Sequence, residues 1–209
     1  MFKLSHALLQ HLKPCILCQQ YPAQAHDVCD ACWHDLPWQP HQVQRHDITC
    51  QAQLAYAFPI AQVIAQYKNQ QQLHYQHLLS SCLARYRPEN FQHIQAIVPM
   101  PIAVEKLQQR GFDHIYLLAK ALAKQWQLPL WQPVQRQASL QQRGLNRSER
   151  LDNLQGKFYI HQTDRHYKHV LMLDDVITTG ASLSALAQHL QQLGCENIQA
   201  LCLCDAAQK

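Results

Sequence analysis

Residues 170–182, Val-Leu-Met-Leu-Asp-Asp-Val-Ile-Thr-Thr-Gly-Ala-Ser, constrain the fold of this chain more than any other stretch of its sequence. The first four residues are all apolar, which is typical of a strand buried on both faces of a parallel sheet. Two adjacent carboxylates, Asp174 and Asp175, follow where that strand should emerge. Farther on, the apolar residues take helical spacing, at Leu183, Leu186, Leu190 and Leu193. Gly194 is suited to end that helix. The stretch therefore predicts a strand, a polar loop and a helix of an α/β fold.

The loop in this stretch has the composition of a phosphate-binding turn. Its residues are Thr178, Thr179, Gly180, Ala181 and Ser182. A helix N-terminus presents unpaired N–H groups and the positive end of the helix dipole, and hydroxyl groups add further donors. Taken separately, the paired acids are also compatible with a plain Mg²⁺ site, and the loop with a simple capped turn.

Two acids and a phosphate-binding loop between one strand and one helix are more specific than either part alone. The combination resembles the phosphoribosyl diphosphate (PRPP) motif of type I phosphoribosyltransferases. The resemblance implies that Asp174 and Asp175 hold the ribose hydroxyls of PRPP and that residues 178–182 hold its 5′-phosphate. We expect both carboxylates to be ionised in this role.

Four of the nine cysteines form two Cys-x-x-Cys pairs that are separated by ten residues. They are Cys15, Cys18, Cys29 and Cys32. This spacing is typical of a tetrahedral structural Zn²⁺ site. Disulfides and a redox role are the alternatives, but nothing indicates an oxidising compartment, and a redox role would leave one pair unexplained. We predict a zinc-binding module with its linker at residues 1–40, the linker being residues 36–40, and a second domain at residues 41–209.

The composition sets weaker limits on function. No stretch reaches the roughly 20 consecutive apolar residues of a membrane span, so we expect no membrane insertion and a cytoplasmic location. The net charge of +4 is too small to indicate nucleic-acid binding by itself. The five remaining cysteines are expected to be reduced and buried: Cys50, Cys82, Cys195, Cys202 and Cys204.

A second strand, predicted at residues 94–98, should end close to the acids. It leads into a loop of three residues, which are Pro99, Met100 and Pro101. Ligands collect at the carboxyl ends of strands in a doubly wound sheet, so we expect this loop near Asp174. Lys106 and Arg110 come next, and beside a phosphate site they are candidates for holding a diphosphate. A proline-stiffened turn followed by a solvated basic turn is the alternative.

Residues 136–150 contain four arginines and lack a clean apolar period. The arginines are Arg136, Arg143, Arg147 and Arg150. One interpretation is a solvated basic loop, and the other is a lid from which Arg143 and Arg150 reach an anionic substrate. Strands are predicted on both sides, at residues 128–135 on a sheet edge and at residues 158–160 returning to the sheet. Residues 198–204 are expected to close the sheet.

Short motifs over almost the whole chain occur in the order found in one family. They are the paired Cys-x-x-Cys, Tyr67-Lys68, Val98-Pro99-x-Pro101, Arg110-Gly111-Phe112, Gln142-x-Gly144-Leu145, Arg150-x-x-Asn153 and the motif from Asp174 to Gly180. On this resemblance the chain is identified as a member of the ComF family of competence proteins. The resemblance implies a type I phosphoribosyltransferase fold, with a central, mostly parallel sheet flanked by helices, and a small N-terminal zinc module. One departure is Asp113-His114, where the family usually has Asn-Gln, and it leaves the role of that turn open.

The resemblance also implies two functions, both associated with DNA uptake in natural transformation. The first is a phosphoribosyltransferase that binds PRPP or ribose 5-phosphate with Mg²⁺, releases diphosphate and uses an unknown acceptor. Its catalytic residues would be Asp174, Asp175, Lys106, Arg110, Arg143 and Arg150. The second is a non-catalytic, PRPP-regulated factor that handles single-stranded DNA or binds another competence protein. No residue is obviously dedicated to an incoming base or amine.

Overall fold

The computed structural model describes residues 13–136, 158–161 and 164–207. The strands in these residues are β1 (Trp38–Arg45), β2 (Ile48–Ala55), β3 (Ala96–Pro99), β4 (Val134–Arg136), β5 (Phe158–Ile160), β6 (His169–Ile177) and β7 (Asn197–Asp205). The α-helices are α1 (Asp30–His34), α2 (Ile60–Asn69), α3 (Gln76–Ala84), α4 (Val104–Arg110), α5 (His114–Trp126) and α6 (Ala181–Gln192). Two short 3-10 helices lie at Leu73–Tyr75 and Phe91–His93.

Five strands form the main sheet, in the order β1-β2-β7-β6-β3. Strands β2, β7, β6 and β3 pair in parallel, and β1 pairs antiparallel with β2 at the edge. The fold is therefore α/β with a mostly parallel sheet, as predicted.

The sheet is covered by apolar side chains on both faces because the residues of β6 alternate between two cores. Leu171 and Leu173 pack into a core with α2, α3 and α5, whereas Val170 and Met172 pack into a core with α6. All four side chains are fully buried. This alternation explains the unbroken apolar run, since a strand between two helical layers has no solvent face.

The N-terminal segment packs against the first of these cores. Val28 and Leu36 are buried there together with Leu54 of β2. The interpretation of residues 36–40 as a linker is wrong in part, because β1 begins at Trp38 and that residue is paired with Leu54. The domain boundary at residue 40 stays a prediction.

Three further expectations for the strands are corrected. Residues 158–160 do form a strand, but it pairs antiparallel with β4 in a separate two-stranded sheet and does not return to the main one. The strand expected at residues 128–135 is interrupted: Leu130 forms an isolated parallel bridge to Ile97 of β3, at the edge of the main sheet, and a regular strand is present only at Val134–Arg136. Strand β7 lies in the middle of the main sheet, between β2 and β6, and so does not close it.

Two simpler findings complete the fold. The five cysteines outside the paired motifs are all buried and without disulfides, as predicted. Within the described parts of the chain, none of the helices has the length and apolar character needed to cross a membrane.

Candidate functional site

The two acids lie beyond the end of a neighbouring strand. Strand β3 stops pairing with β6 at Pro99, which lies opposite Leu173, and the N–H of Met100 donates to the carbonyl of Leu173 over 2.8 Å. Strand β6 itself continues to Ile177, so Asp174 and Asp175 belong to its last part. The shorter neighbour leaves open space over the acids, and the Met100–Pro101 turn borders it.

The hydroxyl-rich loop follows directly. Thr178 and Thr179 are exposed, Gly180 has a left-handed backbone with φ of 78°, and α6 begins at Ala181. A small cavity is lined by Asp174, Val176, Ile177 and residues 178–183. The loop predicted to hold a phosphate therefore lies at a helix N-terminus and shares a cavity with Asp174.

Arg45 of strand β1 supports this loop from the edge of the sheet. A Cβ added at Gly180 would lie 2.5 Å from Cβ of Arg45, so only glycine fits there. The Nε of Arg45 donates to the carbonyl of Thr178 over 3.4 Å, and Nη2 donates to the buried carboxylate of Asp205 over 3.0 Å. His41 Nε2 is 3.4 Å from the same carboxylate oxygen.

A second groove adjoins the loop cavity and brings four cations to the acids. The cationic side chains that line it are Lys68, Lys106, Arg110 and Arg136. Asp174 and Ser182 line both this cationic groove and the loop cavity. The two spaces together form one continuous candidate site, with hydroxyl groups at one end and positive charge at the other.

Asp175 is buried and held ionised by two partners. Lys68 Nζ lies 2.6 Å from its Oδ2, and Nε2 of His114 lies 3.4 Å from the same oxygen. Burial alone would raise the pKa of Asp175, but the hydrogen bond from His114 and the charge of Lys68 hold that pKa well below its usual range. Asp175 is therefore an acceptor throughout the neutral pH range.

Asp174 behaves differently from its neighbour. Burial, and then the charge of Asp175, raise its pKa to about 7. The expectation that both carboxylates are ionised is therefore met by Asp175 but only partly by Asp174 at neutral pH in the ligand-free protein. The pair therefore has one carboxylate, Asp175, that is always a hydrogen-bond acceptor, and a second, Asp174, whose protonation changes near neutral pH.

The environment of Lys106 in the cationic groove lowers the pKa of its amine. Burial lowers the pKa of its amine, and the charges of Arg136, Arg110 and Lys68 lower it further. Positive charges held together without an equal number of acids favour the binding of a multiply charged anion. The turn predicted to hold Lys106 and Arg110 is in fact helix α4, in which Arg110 is the last residue.

Most of the predicted site residues meet at this place. The groove or the loop cavity is lined by Met100, Pro101, Lys106, Arg110, Asp174, Asp175, Thr178, Thr179, Gly180, Ala181 and Ser182. Pro99 is buried in β3 and lines neither space. Arg143 and Arg150 lie outside the described residues, and the lid interpretation stays a prediction.

Sequence reasoning gave no site role to three residues. Lys68 appeared only as part of the Tyr67-Lys68 motif, and its role depends on α2 ending beside β6. His114 appeared only as a departure from the family pattern. Arg45 carried no signal at all, because β1 has no apolar alternation.

The four-cysteine cluster, formed by the two Cys-x-x-Cys pairs, is a separate site at the N-terminal end. The four sulfur atoms all lie within 4.8 Å of one another, and Cys18 Sγ is 3.8 Å from Cys29 Sγ. A tetrahedral site with metal–sulfur bonds of about 2.3 Å requires sulfur separations of about 3.8 Å. Backbone N–H groups of Gln20 and Tyr21 lower the pKa of Cys18 to about 6, whereas burial and the neighbouring Cys29 raise the pKa of Cys32. The case for a metal ion therefore rests on the positions of the four sulfur atoms. On that basis the cluster fits a metal ion.

Comparison with known proteins agrees with this geometry. The model of the phosphoribosyl transferase domain matches residues 119–209. Competence protein F of Haemophilus influenzae is 31% identical over 50% of this chain and 48% of its own length. The DNA utilization protein YhgH of Salmonella typhimurium is 32% identical over 61% of this chain and 56% of its own length. The chain thus spans about half the length of the curated relatives it matches.

A solved structure of adenine phosphoribosyltransferase from Saccharomyces cerevisiae aligns over 79% of this chain and 83% of its own, with 18% identity and a TM-score of 0.34. This chain combines three features: similarity to the two curated relatives, a match to the phosphoribosyl transferase domain and a four-cysteine cluster. The chain is thus similar to competence protein F and to YhgH, and its residues 119–209 match a phosphoribosyl transferase domain.

Proposed function

We propose that the site binds PRPP, with the 5′-phosphate at residues 178–182, the ribose over the two acids and the diphosphate among the cations. The observation that carries this proposal is the shared position of Asp174, which lines both the hydroxyl-rich loop cavity and the cationic groove. PRPP presents its groups in the same order, a phosphate, a ribose diol and a diphosphate. The match to a phosphoribosyl transferase domain supports the same ligand.

The acids would serve the ribose in two ways. Ionised Asp175 accepts a hydrogen bond from a ribose hydroxyl, and Asp174 accepts another once it has lost its proton. Both carboxylates also stabilise the positive charge that develops on the ribose ring as diphosphate departs. A buried carboxylate that Lys68 holds in place supplies this charge without reorganisation, since Lys68 Nζ is already 2.6 Å away.

The cations would serve the leaving group. When the bond between the anomeric carbon and diphosphate breaks, both bonding electrons leave with the diphosphate, and Lys106, Arg110 and Arg136 line the groove where that charge increases. Arginine suits this task because its planar fork binds phosphate through two donors. Bound together with PRPP, Mg²⁺ would add further counter-charge to the diphosphate, and it would be held mainly by phosphate oxygens and water beside the Met100–Pro101 turn.

The reaction proposed for this site is transfer of the phosphoribosyl group. A nucleophile on the acceptor forms the new bond to the anomeric carbon, diphosphate leaves, and the acceptor proton passes to water. The acceptor is not identified by any side chain of the site.

We also propose that the four-cysteine cluster holds a structural Zn²⁺. Four thiolates close a tetrahedral site and leave no position for a substrate. Cys15 and Cys29 are buried with Val28 and Leu36 in the same core as α2 and α3. Metal binding would therefore contribute directly to the packing of the N-terminal segment.

A second candidate function rests on a cluster of aromatic rings beside the four-cysteine cluster. Trp33 and Trp38 are half-buried, their ring centroids are 4.9 Å apart, and the guanidinium of the exposed Arg85 lies 4.4 Å from the Trp38 centroid. Aromatic rings with an adjacent arginine are typical of surfaces that stack the bases of single-stranded DNA. The named roles of the relatives in competence and DNA utilization agree with this alternative.

One experiment separates these functions. Labelled PRPP is incubated with the protein and with panels of bases, amines and single strands, while PRPP binding is measured by calorimetry. We expect Arg110→Ala to lose PRPP binding and turnover and to keep single-strand affinity, with Arg85→Ala as the matched control. Loss of strand affinity in Arg85→Ala, without PRPP turnover in the wild type, would favour the non-catalytic function. Absence of PRPP binding by the wild-type protein would overturn the proposal.

A further inference from the structure

His114 connects the cations of the groove to the acid pair. It is the first residue of α5, and its side chain is only 7% exposed. Its Nδ1 lies 3.1 Å from Nη1 of Arg110, and its Nε2 lies 3.4 Å from Oδ2 of Asp175. One imidazole therefore contacts a guanidinium of the cationic groove and a carboxylate of the acid pair.

The two contacts determine the tautomer. A guanidinium has only donors, so Nδ1 of His114 must be the acceptor in its bond with Arg110. The ring proton then lies on Nε2, from where it is donated to the carboxylate of Asp175. An imidazolium would carry a proton on both nitrogens and would turn Nδ1 into a donor that faces a donor.

The surrounding charged groups agree with this arrangement. Lys68 donates to the same oxygen of Asp175 that accepts from His114. Asp113 does not compete for the imidazole as an acceptor, because its carboxylate caps α5 by accepting from the N–H of Tyr116 over 2.9 Å. The backbone of His114 is also fixed, since its carbonyl accepts from the hydroxyl of Tyr67 over 3.2 Å.

We propose that His114 is a positioning residue that, as the neutral Nε2–H tautomer, holds Arg110 and Asp175 in one hydrogen-bonded chain. The inference deepens the proposed function and rests on it, because Arg110 faces the diphosphate and Asp175 the ribose. Through His114 the guanidinium of Arg110 is held at the groove, and no acid among the described residues forms an ion pair with it. Its charge therefore stays available to the diphosphate.

Glutamine at position 114 can test this arrangement without removing its hydrogen bonds. Its single amide both accepts and donates, as neutral histidine does.

The first test needs no ligand. In ¹⁵N-labelled ligand-free protein at pH 7.5, the imidazole signals that are missing from the spectrum of His114→Gln belong to His114. We expect an unprotonated acceptor Nδ1 and a protonated Nε2. An Nδ1–H tautomer or an imidazolium at this pH would overturn the inference, whatever the protein binds.

The second test measures affinity for diphosphate and for inorganic phosphate by calorimetry. We expect His114→Leu to weaken diphosphate binding by about tenfold and to leave phosphate binding at the loop unchanged, and His114→Gln to restore the diphosphate affinity. Equal diphosphate affinity in the wild type and both variants would overturn the inference. If His114→Leu does not fold, two measurements still test the inference. They are the diphosphate affinity of His114→Gln relative to the wild type, and the tautomer of His114 in the wild type. A wild-type protein that binds neither PRPP nor diphosphate contradicts the proposed function instead.

Discussion

The amine of Lys68 lies 2.6 Å from Oδ2 of Asp175, although the two residues are 107 positions apart in the sequence. The carboxylate is buried, and the lysine side chain is 30% exposed. The ion pair thus joins the C-terminal end of α2 to the acid pair of β6. Together with His114, it holds Asp175 in the ionised form.

We expect Lys68→Met to destabilise the protein by about 2 kcal/mol, because it removes a charge-assisted bond from a buried carboxylate. Chemical denaturation at pH 7 measures this effect. The matched control is Lys168→Met, since Lys168 also lies 2.6 Å from its partner, Glu196, but that pair is 66% and 60% exposed. The control should change stability much less, because solvent screens an exposed ion pair. Equal effects of both substitutions would show that burial of Asp175 is unimportant.

Gly180→Ala should disturb the hydroxyl-rich loop more than an equivalent change elsewhere disturbs its own turn. Alanine at φ of 78° carries backbone strain of about 1–2 kcal/mol, and its Cβ would also lie 2.5 Å from Cβ of Arg45. Gly111→Ala is the control, because φ there is 75° and nothing lies within 4 Å of the added atom. We expect Gly180→Ala to lower the melting temperature further and to lose ribose 5-phosphate binding, which Gly111→Ala should retain.

Zinc should be present at one equivalent per chain in protein purified without added metal, as measured by elemental analysis. Cys18→Ser should lower both the zinc content and the melting temperature, because metal binding and folding are coupled. The control, Cys195→Ala, removes a buried thiol outside the four-cysteine cluster and should leave zinc unchanged. Native protein with all four cluster cysteines in disulfides would contradict the assignment.

The raised pKa of Asp174 predicts a particular dependence of stability on pH. Between pH of about 4 and about 7, the folded protein retains a proton that the unfolded chain has released. The contribution of Asp174 to the free energy of unfolding therefore falls as pH rises through this window. Asp174→Asn removes this loss, so the variant should gain stability relative to the wild type from pH 4.5 to pH 7.5.

The expected gain is up to a few kcal/mol, since one pKa unit corresponds to about 1.4 kcal/mol. Denaturant titrations across the pH range measure it, with the exposed Asp164→Asn as the control substitution. A stability difference that stays constant with pH would mean that Asp174 is ionised throughout the range.

The main elements of the site could be predicted from the sequence because their signals are local. The apolar run before Asp174, the hydroxyl-rich loop and the leucine spacing of α6 all fall within about 25 consecutive residues. The paired Cys-x-x-Cys motif is local in the same sense. Each of these patterns depends on residues that are close together in the sequence, because the burial of a strand and the conformation of a turn are determined over a few residues.

The parts that could not be predicted depend on distant partners. Strand β1 lacks apolar alternation, since it is an edge strand whose side chains are mostly exposed or half-buried, and so Arg45 gave no signal. The central place of β7 follows from its pairing with β2 and β6, which no local pattern reveals. Lys68 and His114 acquire a role only because α2 ends, and α5 begins, near the carboxyl end of β6.

The central claim is the division of PRPP between the two acids and the loop, and calorimetry of three ligands tests it most directly. Wild-type protein and the double variant Asp174→Asn/Asp175→Asn are titrated with PRPP, ribose 5-phosphate and inorganic phosphate at pH 8. If the acids hold the ribose and the loop holds the phosphate, as proposed, the variant loses most affinity for the two ribose ligands and keeps its affinity for phosphate. An equal loss for all three ligands would contradict this division.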